Sequence, residues 1–223
     1  MRFAMRSVGV QAAVCLVLCV PGICAADSLP SEEIARGIRV IRGAVNGVLI
    51  QREGKTLAVY GDPRENPAAV DTVLLTHHRR DVVWAGRTLV SKGAQAVVPA
   101  AEAELFTAVG QFWSDFEQQR FHDYTHRCTK VLVEPLPVWK AVRGGETCAW
   151  QGLPIRVLDT PGYTPGAVTY LVELEGQRIA FTGDMLYGDG KILDLYSLQD
   201  AIPELGIMAY HGYAARLSEL VAS

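Results

Sequence analysis

Two loops that bracket a single hairpin constrain this chain more than any other feature. The apolar runs Val168 to Leu174 and Gln177 to Thr182 are joined at Glu175-Gly176, the composition of two strands around a tight turn. In an antiparallel hairpin the loop entering the first strand and the loop leaving the second lie at the same end. The entering loop is Thr160-Pro161-Gly162-Tyr163-Thr164-Pro165-Gly166 and the leaving one Phe181-Thr182-Gly183-Asp184. About twenty residues of separation thus collapse to contact distance, and Tyr163 is expected beside Asp184.

A second cluster ends another apolar run. Val70, Val73, Leu74 and Leu75 read as a short core strand, and Thr76-His77-His78-Arg79-Arg80-Asp81 follows at its carboxyl end, where α/β folds place their ligands. Together the three segments resemble the metallo-β-lactamase superfamily. Its motifs are Thr-His-x-His-x-Asp-His, Thr-Pro-Gly-His-Thr-Pro-Gly and Phe-Thr-Gly-Asp. Matched by position, His77 falls on the first histidine, Asp81 on the motif aspartate and Asp184 on the bridging aspartate. Arg79 stands at the second histidine, Val82 at the last, and Tyr163 at the histidine of the second motif.

That resemblance implies an α/β fold, the four-layer αββα sandwich of the superfamily. It covers Ile38 to Ser223, within a domain at 27–223 that ends before the family's final C-terminal strand. It also implies metal chemistry, in which one or two zinc ions lower the pKa of a bound water and supply hydroxide. A catalytic zinc takes about three protein ligands besides that water. Here one site would keep His77 and Asp184, the other Asp81 and Asp184, so His77, Asp81 and Asp184 are the remnant metal ligands. His78, Arg79, Tyr163 and His211 are the remaining pocket residues. A guanidinium does not ligate metal but pairs with carboxylates, so Arg79 is expected to replace the metal's charge between Asp81 and Asp184.

Three functional readings follow. The first is an exported family member with a degraded site, non-catalytic or weakly active and without a metal, that keeps a binding or scaffold role, an unspecified small molecule being the candidate ligand. The second is a hydrolase of an ester, thioester or lactam with one divalent metal in an atypical mononuclear site. There His78 moves into the shell with the Tyr163 phenolate; zinc is implied by the family, and iron or manganese by oxygen-rich ligands. The third is a fragment whose missing part supplies further function.

The first 26 residues form a separate unit. Arg2 and Arg6 precede an apolar run from Val8 to Val20, then Pro21-Gly22 and Cys24-Ala25-Ala26. That order reads as a secretory signal peptide, too short to span a bilayer, and places the protein in the periplasm or outside the cell. An uncleaved anchor is the alternative. Cleavage takes two of 21 basic residues and none of 24 acidic ones, leaving a net charge of about −5 that offers nucleic acid nothing. Cys128 and Cys148 remain, as one disulfide or as two thiols. The sequence carries no signal for oligomeric state.

Elsewhere, strands at Ile38–Ile41, 44–50 and 56–60 form an entry sheet with a turn at Glu53-Gly54. In the family the last of these strands ends in an aspartate and a glycine. Tyr60-Gly61-Asp62 scrambles that ending, so a contact supporting the site is expected to be missing. A helix begins at Ala85 and ends at Gly93, and another starts at Pro99 with Leu105, Phe106, Val109, Phe112, Trp113 and Phe116 on one face. His122 and His126 share a helical face as a weak metal pair. Trp84, Trp139 and Trp150 are candidate cleft residues, with packing as the plainer role.

Overall fold

The computed structural model describes residues 30–43, 45–60, 69–119, 131–161, 163–186 and 220–222. The first sheet has seven strands in sequence order. Strands β1 (Ser31–Ala35), β2 (Ile38–Ile41), β3 (Gly47–Arg52) and β4 (Lys55–Val59) form an antiparallel meander. Glu53 and Gly54 close its β3–β4 turn with φ of 50° and 73°, the doubly left-handed geometry of two-residue hairpins. β5 (Thr72–Leu74), β6 (Gln95–Pro99) and β7 (Lys140–Val142) then add in parallel. Parallel neighbours need a crossover, and helix α1 (Arg80–Ser91) provides the first, packing on β5 and β6.

The second sheet is antiparallel, ordered β11-β10-β9-β8. It comprises β8 (Thr147–Trp150), β9 (Leu153–Asp159), β10 (Val168–Leu174) and β11 (Gln177–Phe181). On β9, Leu153, Ile155 and Val157 are buried while Pro154 and Arg156 are exposed, the period of a strand with one face on a core. These residues join Leu57, Val73, Leu74 and Val97 of the first sheet in one apolar cluster. Each such side chain contributes about 1.5–3 kcal/mol by leaving water. Two hydrogen bonds pin the sheets together beside the site: Tyr170 Oη donates to the Leu75 carbonyl at 3.0 Å, and the Val168 N–H to the Thr76 carbonyl at 2.9 Å. The expected sandwich is present in its helix, sheet and sheet layers. Residues 187–219, where the end of the sandwich falls, lie outside the described residues, and 220–222 are helical.

Three local readings change. β1 leaves no signal in the sequence, because its side chains are nearly all exposed and a strand without a buried face has no alternation to detect. Helix α1 starts at Arg80 rather than Ala85; no side chain caps its N-terminus, so the usual start signal is missing. The apolar face from Leu105 to Phe116 is divided between α2 (Ala103–Thr107) and α3 (Val109–Gln119). Phe106 and Val109, on either side of the break, are fully buried.

Candidate functional site

The chain leaves β5 through four consecutive buried polar residues, Thr76, His77, His78 and Arg79. Buried polar atoms need partners, and three neighbouring elements supply most of them. Tyr60, just after β4 and at φ 54°, accepts the Thr76 N–H on its phenolic oxygen at 2.9 Å. Burial, and next the charge of Asp184, holds the Tyr60 pKa well above that of an ordinary phenol, so the hydroxyl keeps its proton. The support expected to be lost with the scrambled strand ending is therefore present, made by a phenol in place of a carboxylate. Gly183, at φ +58°, packs against the same threonine; a Cβ there would collide with Thr76 Oγ1.

His77 is the meeting point. The Arg79 N–H lies 3.2 Å from His77 Nδ1, which makes that nitrogen an acceptor and leaves the ring proton on Nε2. Nε2 donates to Asp184 Oδ2 at 3.0 Å. Asp184 sits in a short 3-10 turn, Gly183–Met185, just after β11. The Tyr163 ring lies 4.9 Å from the His77 ring, centroid to centroid. The hairpin thus brings Tyr163 and Asp184 together on one imidazole, as the loop spacing predicts.

Arg79 departs from expectation. Its Nη2 donates to the Tyr163 carbonyl at 3.3 Å, and its guanidinium carbon stands 4.9 Å from the centroid of that ring. It makes no ion pair with Asp184, whose Oδ2 is taken by His77. The side chain is buried, and Nε has no hydrogen-bond partner among the described residues. Proximity to the tyrosine face attracts a guanidinium, and here it is the Tyr163 carbonyl and ring that Arg79 meets. The Asp81 side chain lies outside the described residues, although its backbone falls in the first turn of α1.

A second pair escaped the sequence. Glu102, in the 3-10 turn after β6 and only 3 % exposed, accepts the His78 N–H and His78 Nδ1 on Oε2, both at 2.8 Å. Its Oε1 takes the Gly166 N–H at 2.9 Å. Burial raises the carboxyl pKa most strongly, but the hydrogen bond and charge of His78, helped by Thr164, bring it below the ordinary value. One carboxylate therefore ties the loop after β5 to the loop before β10. A Cβ on Gly166 would run into Glu102 Cγ at 2.5 Å, so glycine is required for that approach. No motif marks Glu102; its only signal is an acid at the start of a helix, where acids are common.

His211, His122, His126 and Cys128 lie outside the described residues, as do the side chains of Val82 and Trp84. Cys148 is a free thiol. Among the described residues no group of three or more His, Cys, Asp or Glu side chains converges as a metal site would.

A mixed seven-stranded sheet facing a four-stranded antiparallel one, with His77 and Asp184 meeting where both sheets shed their loops, defines a metallo-β-lactamase-type sandwich. The family model for the metallo-beta-lactamase superfamily matches residues 49–218, and the chain belongs to that superfamily. A search of the curated proteins found no match. Among solved structures, a metallo-beta-lactamase with a HARLDQ motif from Cronobacter sakazakii is 15% identical, with a TM-score of 0.61 over 88% of this chain and 76% of that one. The native metallo-beta-lactamase of Legionella gormanii is 16% identical, with a TM-score of 0.59 over 87% and 74%. A beta-lactamase from Chitinophaga pinensis is 18% identical, with a TM-score of 0.61 over 86% and 74%. These likenesses establish the fold.

Proposed function

We propose that this chain is an exported metallo-β-lactamase-fold protein whose hydrolase metal site is degraded, so that it is non-catalytic or weakly active and serves by binding a small molecule. The observation that carries this reading is the state of His77. Both ring nitrogens are engaged within the protein, Nδ1 by the Arg79 N–H and Nε2 by Asp184. Beside it, where two more imidazoles would complete a zinc shell, stand a buried guanidinium and a phenol. A guanidinium has no lone pair to give and repels a dication, and a phenol must lose a proton near pKa 10 before it ligates. The donor set does not fit a catalytic zinc. Export rests on the leader-like first 26 residues.

Metal analysis of the purified protein, after equilibration with zinc and exhaustive dialysis, tests the reading. The expected content is far below one metal per chain. Stoichiometric zinc, manganese or iron would overturn it.

One observation favours the second reading, a hydrolase with an atypical mononuclear site. The motif named for the Cronobacter sakazakii protein, His-Ala-Arg-Leu-Asp-Gln, has arginine two places and aspartate four places after its histidine. His77, Arg79 and Asp81 keep that spacing. Turnover of a lactam or an activated ester that is abolished by a chelator and restored by one metal equivalent would favour this reading.

A further inference from the structure

Arg79 carries a buried charge that no described side chain answers. It is only 5% exposed, yet among the described residues its guanidinium meets a single acceptor, the Tyr163 carbonyl, which takes Nη2 at a long 3.3 Å. Nε is buried without a partner. The described acids of these loops are committed elsewhere: Asp184 Oδ2 to His77 Nε2 at 3.0 Å, Glu102 Oε2 to His78 at 2.8 Å and Glu102 Oε1 to the Gly166 N–H at 2.9 Å. Charges in protein interiors are ordinarily paired or neutralised, and a guanidinium does not give up its proton.

The group is also fixed from several sides. Arg79 is the N-cap residue of α1; its N–H rests on His77 Nδ1 at 3.2 Å and its carbonyl accepts the Val83 N–H at 3.1 Å, while its guanidinium carbon stands 4.9 Å from the centroid of the Tyr163 ring. No side chain caps this twelve-residue helix, so the positive end of its dipole adds to the same local potential.

We propose that Arg79 anchors the small-molecule site by taking a monocarboxylate of the ligand on Nε and the adjoining Nη. The proposal rests on the reading of a degraded, metal-free site and names the ligand class for it. The unused atoms of Arg79 are all donors, so their complement is a pair of acceptor oxygens, and the planar fork matches a carboxylate through two parallel bonds. Asp184 limits the charge of the ligand, since a phosphate dianion meets more repulsion from that carboxylate than a monoanion does. An unpaired buried cation lowers stability, and a ligand that pairs it recovers the loss on binding.

The test titrates the full chain with sodium acetate at constant ionic strength, with acetamide as the neutral isostere and inorganic phosphate, at slightly alkaline pH, as the dianion. The nitrogen–proton correlation peak of Arg79 Nε–H, assigned by its absence in Arg79→Met, reports on this atom alone. Acetate should move it saturably, acetamide should not, and phosphate should bind at least about fivefold more weakly. Saturating acetate should raise the unfolding midpoint of the parent and leave that of Arg79→Met unchanged. Arg79→Lys, which keeps the charge and loses the fork, should weaken acetate at least about tenfold. A stationary peak, equal shifts with acetamide, tighter binding of phosphate, a midpoint gain retained in Arg79→Met or affinity undiminished in Arg79→Lys would overturn the proposal. Metal content is measured on the same sample: stoichiometric metal strikes the degraded-site reading and this proposal with it, whereas a metal-free chain whose Nε–H ignores acetate strikes the carboxylate site alone.

Discussion

Glu102 Oε2 receives two hydrogen bonds from a single residue, the backbone N–H and the ring Nδ1 of His78, each at 2.8 Å. With Oε1 holding Gly166 N–H, this carboxylate sets the distance between two loops that the sequence places almost ninety residues apart. Removing it leaves two buried N–H donors and an imidazole without acceptors. Glu102→Ala should lower stability by about 3–5 kcal/mol, the usual cost of breaking a buried charged network on one side, and Glu102→Gln by about 1–3 kcal/mol. Urea unfolding midpoints of both variants check this, and an alanine variant within error of the parent would show that the loops do not rely on the clamp.

The residues that reveal the fold are those whose types repeat a loop chemistry. Thr160 to Gly166 and Phe181 to Asp184 are legible because glycine, proline and aspartate sit where backbone geometry demands them, and the intervening hairpin fixes where they meet. Glu102 and Tyr60 are not legible, because each does by reach what no local pattern records. A phenol is long enough to cross from β4 to the Thr76 N–H, and an acid in a 3-10 turn becomes a clamp only once β6 is laid beside β5. Arg79 is legible as a ligand position but not as a partner of Tyr163, since sequence gives its charge and not which neighbour is nearer. Trp139 and Trp150 do line a cleft, although at the pole away from the motif loops.

Tyr60→Phe isolates the phenolic oxygen. The ring stays and packs as before, but the Thr76 N–H loses its acceptor at 2.9 Å. An unsatisfied buried donor costs about 1–3 kcal/mol, so the variant should unfold at lower denaturant with an unchanged slope. Faster amide exchange at Thr76 should accompany the shift.

Arg79 separates charge from volume. Its guanidinium is buried, with one long hydrogen bond and an orphaned Nε, an arrangement in which desolvation outweighs what a carbonyl and an aromatic face return. Arg79→Met keeps most of the volume and should be neutral or stabilising, by up to about 1–4 kcal/mol. Arg79→Ala vacates the space and should destabilise by about 1–3 kcal/mol. Thermal unfolding of the pair decides the matter: a strongly destabilised methionine variant would mean that the charge itself is required.

Acid should weaken the first sheet through Asp71. The Lys55 hydrogen bond, and after it the Thr56 N–H, hold its carboxyl below the ordinary value. A pKa lower in the folded than in the unfolded chain stabilises above the unfolded value, about 3.9, and that contribution is lost as pH falls through the folded value. Asp71→Asn should therefore reduce stability near neutrality and flatten its decline on the acid side. Unfolding midpoints across the acid range, compared with the parent, measure the difference, and parallel curves would remove Asp71 from the account.

Restoring imidazoles tests whether the loops still hold the geometry of a metal site. Arg79→His removes the buried cation and places a donor two residues from His77, and Tyr163→His places another where a ring already lies 4.9 Å from the His77 ring. Three histidines approach the ligand number of a catalytic zinc, and Asp184 is already within 3.0 Å of the first. Zinc must still displace the His77 to Asp184 hydrogen bond, which costs a small part of what three nitrogen ligands return. The double variant R79H/Y163H should bind zinc at least about a hundredfold more tightly than the parent, about 2.7 kcal/mol, read by competition with a chromophoric chelator. The single variants should gain far less, because neither completes three ligands. No gain in the double variant would mean that these two positions no longer point at a common centre, and the descent of this site from a metal site would lose its geometric basis.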